Sequence, residues 1–326
     1  MYEIYDRWPE ISKNAYESQS ADTTLDYTNH IVFAGMGGSG AIGEIFSSIL
    51  SKTNIHVSVV KGYHLPMTID RKTLVITTSV SGNTIETLSC LYLAKKNKNK
   101  IIAFSSGGKM KTFCEKNKIK YVQIPQLHSP RASFTVYLYT MLKVLKKTIP
   151  IDNNDVYQSI RKLQLVRKKI CSSNLSQSNP ALNLAKWVVG IPLIYYPYGL
   201  QASAIRFKNS LQENAKIHAM TEDVLEASHN GIVSWEKPSN VQPIIIRGKD
   251  DYAKTKERWK IVKDYFKNKD IEYQEILSVS GSILDKIITL IYLLDYCSIY
   301  KAVLSNIDPT PIHSIDYIKK RSQHTK

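Results

Sequence analysis

A chain of 326 residues, 43% hydrophobic and 22% charged, has room for two globular domains of about 150 residues each, which excludes a disordered or collagen-like polymer. A net charge of +16 raises nucleic acid, an acidic surface or an acidic small substrate as partners. The lysines fall in helix-like stretches such as 94–100 and 162–169 without interleaved aromatics, so a solvated basic surface is expected and no nucleic-acid partner.

Residues 5–20 read as a helix with Trp8 and Ile11 on its apolar side, and no basic region followed by an apolar run marks a secretory signal. A strand at 30–35 leads into a helix starting near Ser39, with Ile42, Ile45, Phe46 and Leu50 at helical spacing. Strands follow at 55–60 and 73–78, a helix at 84–94, and strands at 100–104 and 118–125 around a helix at 109–116. A helix at 131–146 closes a doubly wound parallel α/β sheet. The polar stretch 152–155 after Pro150 reads as a linker, dividing the chain into domains 1–150 and 151–326.

Beyond it come helices at 156–170 and 181–188, a strand at 191–196 and a helix at 200–213. Strands at 242–247 and 271–277 flank a helix at 252–267. The apolar segment 283–304 carries Asp285, Lys286, Asp295 and Lys301, so it reads as a core helix and no membrane partner is expected. The second half has the rhythm of the first, without a residue-level repeat. Cys90, Cys114, Cys171 and Cys297 lack the paired spacing of a zinc or redox site, so buried thiols in a reducing cytoplasm are expected.

Two loops carry the chemistry. Gly35, Gly37 and Gly40 match a dinucleotide fingerprint in form, but the next strand ends at Val60 and Lys61 without the acid that holds a ribose; a dehydrogenase using a phosphorylated cofactor through Lys61 stays open, yet it explains nothing about the second loop. Ser79, Ser81, Gly82, Asn83 and Thr84 put hydroxyls at a helix start, where backbone amides and the helix dipole favour phosphate. The competing reading is that these hydroxyls merely cap a helix. Together the loops resemble the sugar isomerase (SIS) domain, a flavodoxin-like module. The resemblance implies that Ser39, Ser79, Ser81 and Thr84, with the amides of Gly37 and Gly38, bind a sugar phosphate.

Four further segments are unusually polar: 128–133 with Arg131, 206–216 with Arg206, Asn209 and Glu213 near one helix face, 226–236 with His229, and 308–320 with two prolines ahead of Lys319 and Lys320. Read singly, each has an ordinary alternative: a surface arginine, an exposed helix face, a structural histidine and a disordered basic tail. Together with the loops, the motifs at 35–40, 81–87, 212–216, 229–236 and 308–311 resemble the archaeal bifunctional phosphoglucose/phosphomannose isomerases over nearly the whole chain.

That resemblance implies two SIS domains and interconversion of glucose 6-phosphate and mannose 6-phosphate with fructose 6-phosphate through a cis-enediolate, with no metal and no cofactor. It implies Glu213 as the base, Arg131 as the group that stabilises the enediolate, and His229, from the neighbouring subunit of a homodimer, for ring opening. Lys319, or alternatively Lys320, is implied as the ring-opening lysine. Tolerance of both epimers at C2 is implied to depend on the segment holding Thr310, Ile312 and His313. The rival readings are a glucosamine-6-phosphate-type SIS enzyme and a non-catalytic phosphosugar sensor, which would not need Glu213, Arg131 and His229 together.

Overall fold

The computed structural model describes residues 1–18 and 28–322. Where one helix was expected over 5–20, there are two, α1 (Tyr2–Asp6) and α2 (Trp8–Glu17); residues 19 and 20 lie outside the described residues. The break at Arg7 follows from Pro9, which has no N–H to continue the ladder and sits in the first turn of α2.

The first sheet holds β1 (His30–Ala34), β2 (His56–Val60), β3 (Leu74–Thr78), β4 (Lys100–Ser105) and β5 (Lys120–Gln123), all parallel, in the order β2-β1-β3-β4-β5. Their crossovers are α3 (Gly38–Leu50), α4 (Ile85–Lys96) and α5 (Gly108–Lys116), and α6 (Phe134–Val144) follows β5. Every residue of β1 and β3 is buried, as strands covered on both faces must be. The order reverses between these two strands, and both candidate phosphate loops leave from their carboxyl ends, the place where doubly wound sheets hold ligands.

The expected linker at 152–155 is instead the start of α7 (Asn153–Ile170), because the Asp152 carboxylate accepts the Asn154 N–H at 2.9 Å and caps it. After α8 (Pro180–Trp187), a second parallel sheet contains β6 (Ile191–Tyr196), β7 (Met220–Asp223), β8 (Val241–Arg247) and β9 (Gln274–Leu277) in the order β7-β6-β8-β9. The edge strand β7 was not expected, since Thr221, Glu222 and Asp223 supply no apolar alternation. Its helices are α9 (Gln201–Ser210), α10 (Val224–Ala227), α11 (Ala253–Asn268) and α12 (Ile283–Leu304), with α13 (His313–Ser322) at the end.

The apolar segment is indeed a core helix. Sixteen of the 22 residues of α12 are buried, and it packs against α7, α8 and α9. Its two inward acids are paired, Asp285 with Lys162 at 2.7 Å and Asp295 with Arg206 at 2.6 Å. Tyr292 and Tyr296 of α12 meet Tyr5 and Trp8, so the main apolar cluster runs from the first helix to the last residues of α12 and spans both sheets. The four cysteines are free and buried.

Candidate active site

The loop after β1 turns at Gly37 (φ +54°), and Gly38 opens α3 with no side-chain cap. Gly35 packs so closely on the end of β3 that a methyl there would stand 3.0 Å from the Thr78 carbonyl, which sets the two loops side by side. In the second loop, Gly82 has φ +66°, and a Cβ would fall 1.8 Å from the Gly107 carbonyl oxygen. Only glycine fits that corner. Ser79 is buried and its Oγ lies 2.9 Å from Thr84 Oγ1.

Thr84, the residue at the start of α4, does not cap it, since its side chain makes no bond to the first turn. Thr84 turns to Ser79 instead, while Ser81 Oγ, on an exposed residue, accepts the Asn83 N–H at 3.3 Å. Ser39, in the first turn of α3, is partly buried and packs against Gly35. The second sheet repeats the fold but not this chemistry. Its corresponding loop after β8 carries Asp250, paired with Lys286 at 3.1 Å, and Asp251, which accepts the Gly248 N–H at 3.0 Å.

Arg131 lies on the turn before α6, not at the start of a helix. Pro130 disfavours helical backbone in the residue before it, and the turn is braced by Ser133 Oγ donating to the Ser129 carbonyl at 2.8 Å and accepting the Leu127 N–H at 2.9 Å. Trp8 Nε1 donates to the Ala132 carbonyl at 3.2 Å from the other side. Arg131 is 5% exposed, so it is no surface arginine.

Glu213 reaches Arg131 because α9 ends at Ser210 and the chain continues as one wide π-helical turn (Leu211–Ala215), closed by Lys216 in the left-handed region at φ +58°. Such turns mark functional positions in many helices. Adjacent residues here take different surroundings: Asn214 is fully buried, while the Glu213 side chain is 28% exposed. Arg131 Nη1 donates to Glu213 Oε2 at 3.4 Å, its Nε donates to Asn214 Oδ1 at 2.7 Å, and Nη2 donates to the carbonyls of Pro309 and, at 3.0 Å, Thr310.

Lys216 ties the same pieces from the other side. Its Nζ donates to the carbonyls of Glu213 at 2.5 Å and Pro311 at 2.7 Å, and burial with the nearby Arg131 charge holds its pKa below the usual lysine value. The two cations thus hold the proline-rich strap at 308–311 against the π-helical turn. His128, also near Arg131, is pushed below the ordinary histidine range by burial, then by the Met1 ammonium and Arg131, with Asp308 opposing.

Arg206 is buried, contrary to the exposed helix face its spacing suggested. It donates to Asp295 Oδ2 from Nε and Nη2, at 3.1 and 2.6 Å, and to the Arg131 carbonyl at 2.9 Å. The sequence therefore pointed to Arg131 and Glu213, which meet, and to the loop hydroxyls, of which Ser79 and Thr84 meet. It missed Asn214 and Lys216 as groups that orient them, although both lie in the 212–216 motif.

His229 and the two lysines stay apart from this cluster. His229 is exposed on the loop after α10, where its N–H donates to the Glu226 carbonyl at 2.9 Å. Lys319 and Lys320 are exposed on α13, none of whose residues is buried, and positions 323–326 of the basic tail lie outside the described residues. Among the described residues, no three His, Cys, Asp or Glu side chains group as metal ligands.

Residues 25–137 match the SIS domain and residues 177–321 match the bacterial phospho-glucose isomerase C-terminal SIS domain. The fold is similar to the C-terminal domain of glucosamine-fructose-6-phosphate aminotransferase from Francisella tularensis, with a TM-score of 0.71 at 16% identity over 94% of this chain and 97% of that one. The chain is 30% identical to a bifunctional phosphoglucose/phosphomannose isomerase of Thermoplasma acidophilum, over 90% of this chain and 89% of the relative. It is 33% identical to that of Caldicellulosiruptor bescii, with 100% of both chains covered. The chain, built of two SIS domains, belongs to the bifunctional phosphoglucose/phosphomannose isomerase family.

Proposed function

We propose that this protein interconverts glucose 6-phosphate, and mannose 6-phosphate, with fructose 6-phosphate through a cis-enediolate. The observation that carries the reading is the meeting of Arg131 and Glu213 at 3.4 Å, 82 residues apart in sequence, with Arg206 linking the Arg131 turn to the Gly38 loop. A phosphosugar sensor has no need of a carboxylate and a buried guanidinium at that place.

In this reading the loop amides and the hydroxyls of Ser39, Ser79, Ser81 and Thr84 hold the phosphate, and the sugar chain extends toward the π-helical turn. Glu213, partly exposed beside Arg131, takes the proton from C2 and returns it to C1. Arg131 stabilises the charge that develops on the enediolate oxygens, and its fixed orientation removes the reorganisation that water would need. The enediolate is planar at C2, so both epimers lead to it. The segment holding Thr310, Ile312 and His313 governs which epimers are accepted, and Arg131 fixes its start by binding the Thr310 carbonyl.

Ring opening falls to His229 and Lys319, with Lys320 the alternative. The exposure of His229 fits a role in the site of a second subunit, and a homodimer supplies that arrangement. No step is routed through a metal, a nucleic acid or a membrane. The reaction belongs to cytoplasmic glycolysis and gluconeogenesis.

A coupled assay following fructose 6-phosphate from each aldose phosphate tests the activity; no turnover of either by the wild-type protein refutes it. Mixing Glu213→Gln and His229→Ala proteins should restore part of the activity through hybrid dimers. No recovery would show that His229 acts within its own chain or not at all.

A further inference from the structure

Arg206 is 3% exposed, yet its guanidinium is only partly used. Of its five N–H donors, the one on Nε and those on Nη2 go to Asp295 and the Arg131 carbonyl. Nη1 has no hydrogen-bond partner among the described residues. The Phe134 ring covers one face of the guanidinium, its centroid 3.9 Å from Cζ, so the group cannot swing freely. Nη1 is aimed at the phosphate loop: a methyl built on Gly38 would stand 3.6 Å from it. Nη1 is not among the sealed, unpartnered polar atoms of the interior, so it keeps access to the surface beside Gly38, and the first residue of α3 is where an anion would supply its acceptor.

We propose that Nη1 of Arg206 donates to the phosphate of the bound sugar beside Gly38, making Arg206 a substrate-binding residue in addition to the loop hydroxyls. This rests on the phosphosugar reading of the site. Asp295 balances the charge of Arg206, with Ser210 Oγ donating to Asp295 Oδ1 at 2.7 Å and Tyr5 OH donating to Oδ2 at 3.3 Å. Arg206 therefore contributes a directed donor more than net charge. The same guanidinium holds the Arg131 carbonyl, so one rigid group registers the phosphate end of the substrate against the turn that carries Arg131.

Calorimetric titration with inorganic phosphate and with fructose 6-phosphate tests this without depending on turnover. Arg206→Lys keeps a cation for Asp295 but, with one nitrogen, cannot also reach Gly38. The double variant Arg206→Gln with Asp295→Asn removes both charges together and also lacks Nη1, so it serves where the single variant fails to fold. Either folded variant should bind both ligands about 10- to 100-fold more weakly, the size expected for a hydrogen bond to a charged group. Binding of phosphate within twofold of wild type by either folded variant, with only the melting temperature lowered, would make Arg206 purely structural and overturn the proposal. A wild-type protein that binds phosphate but turns over neither aldose would refute the isomerase reading and leave the role of Arg206 to be decided by the same titration.

Discussion

Asn214 accepts the Nε–H of Arg131 at 2.7 Å while its own amide donates to Ser298 Oγ at 2.8 Å, and that hydroxyl donates to the Asp295 carbonyl at 2.6 Å. The amide cannot flip without breaking both of its bonds, so a buried side chain on the far side of the π-helical turn fixes the direction of Arg131.

Replacing Asn214 by leucine should separate this aiming from binding. The variant keeps the branched shape, at a somewhat larger volume, but leaves Arg131 Nε without its acceptor, for a loss of about 1–3 kcal/mol of stability. We expect kcat to fall about tenfold or more, the effect of a stabilising group moved off its line, while the affinity for inorganic phosphate is retained. A folded variant with wild-type kcat would show that the bond serves only the fold.

Glu213→Gln keeps the size and an oxygen acceptor for Arg131 Nη1, so the melting temperature should move little. Loss of the base should lower kcat about 10²- to 10⁴-fold. Exchange of the transferred hydrogen with deuterated water, followed by NMR on fructose 6-phosphate, should fall by the same factor. Exchange at the wild-type rate would assign the proton to another group.

Gly82→Ala attacks the phosphate loop through its backbone. The left-handed φ of +66° and the Gly107 carbonyl 1.8 Å from the new methyl cannot both persist. The loop would have to shift, taking the Ser79–Thr84 pair with it, and destabilisation of about 2 kcal/mol or more is expected. Thermal melts and phosphate titration check the two effects together; unchanged phosphate affinity would place the anion elsewhere.

The parallel sheets were readable because buried strands such as 73–78 carry adjacent β-branched and apolar residues and run into glycine and hydroxyl residues, a local pattern. Arg131 and Glu213 were readable only through their motifs and the family resemblance, since nothing in their own segments distinguishes them from surface residues. What could not be read depends on tertiary placement. The acceptor for Arg206 is Asp295, 89 residues away, so a charge spaced like an exposed helix face turned out to be buried. The π-helical turn leaves no periodic signature in five residues, and β7 holds its place through pairing with β6 rather than through its own polar sequence.

Acid sensitivity should trace in part to His30. The residue is buried at the start of β1, with Nε2 2.9 Å from Ser58 Oγ and its ring 4.7 Å from that of His56. Burial, and then the neighbouring His56, hold its pKa below the ordinary 6.5, against the pull of Asp70. The unfolded chain takes up this proton near 6.5, whereas the folded protein resists it. Between the lowered value and 6.5, the unfolded state therefore binds more protons. The stability contributed by neutral His30 is present above that window and is lost as the pH falls through it. His30→Asn removes the group from both states. The fall in melting temperature from about pH 7.5 to about pH 5.5 should then be smaller in the variant than in wild type, and His56→Asn, which removes the like charge, should shrink it as well. Parallel pH profiles for wild type and His30→Asn would show that the acid response arises from other groups.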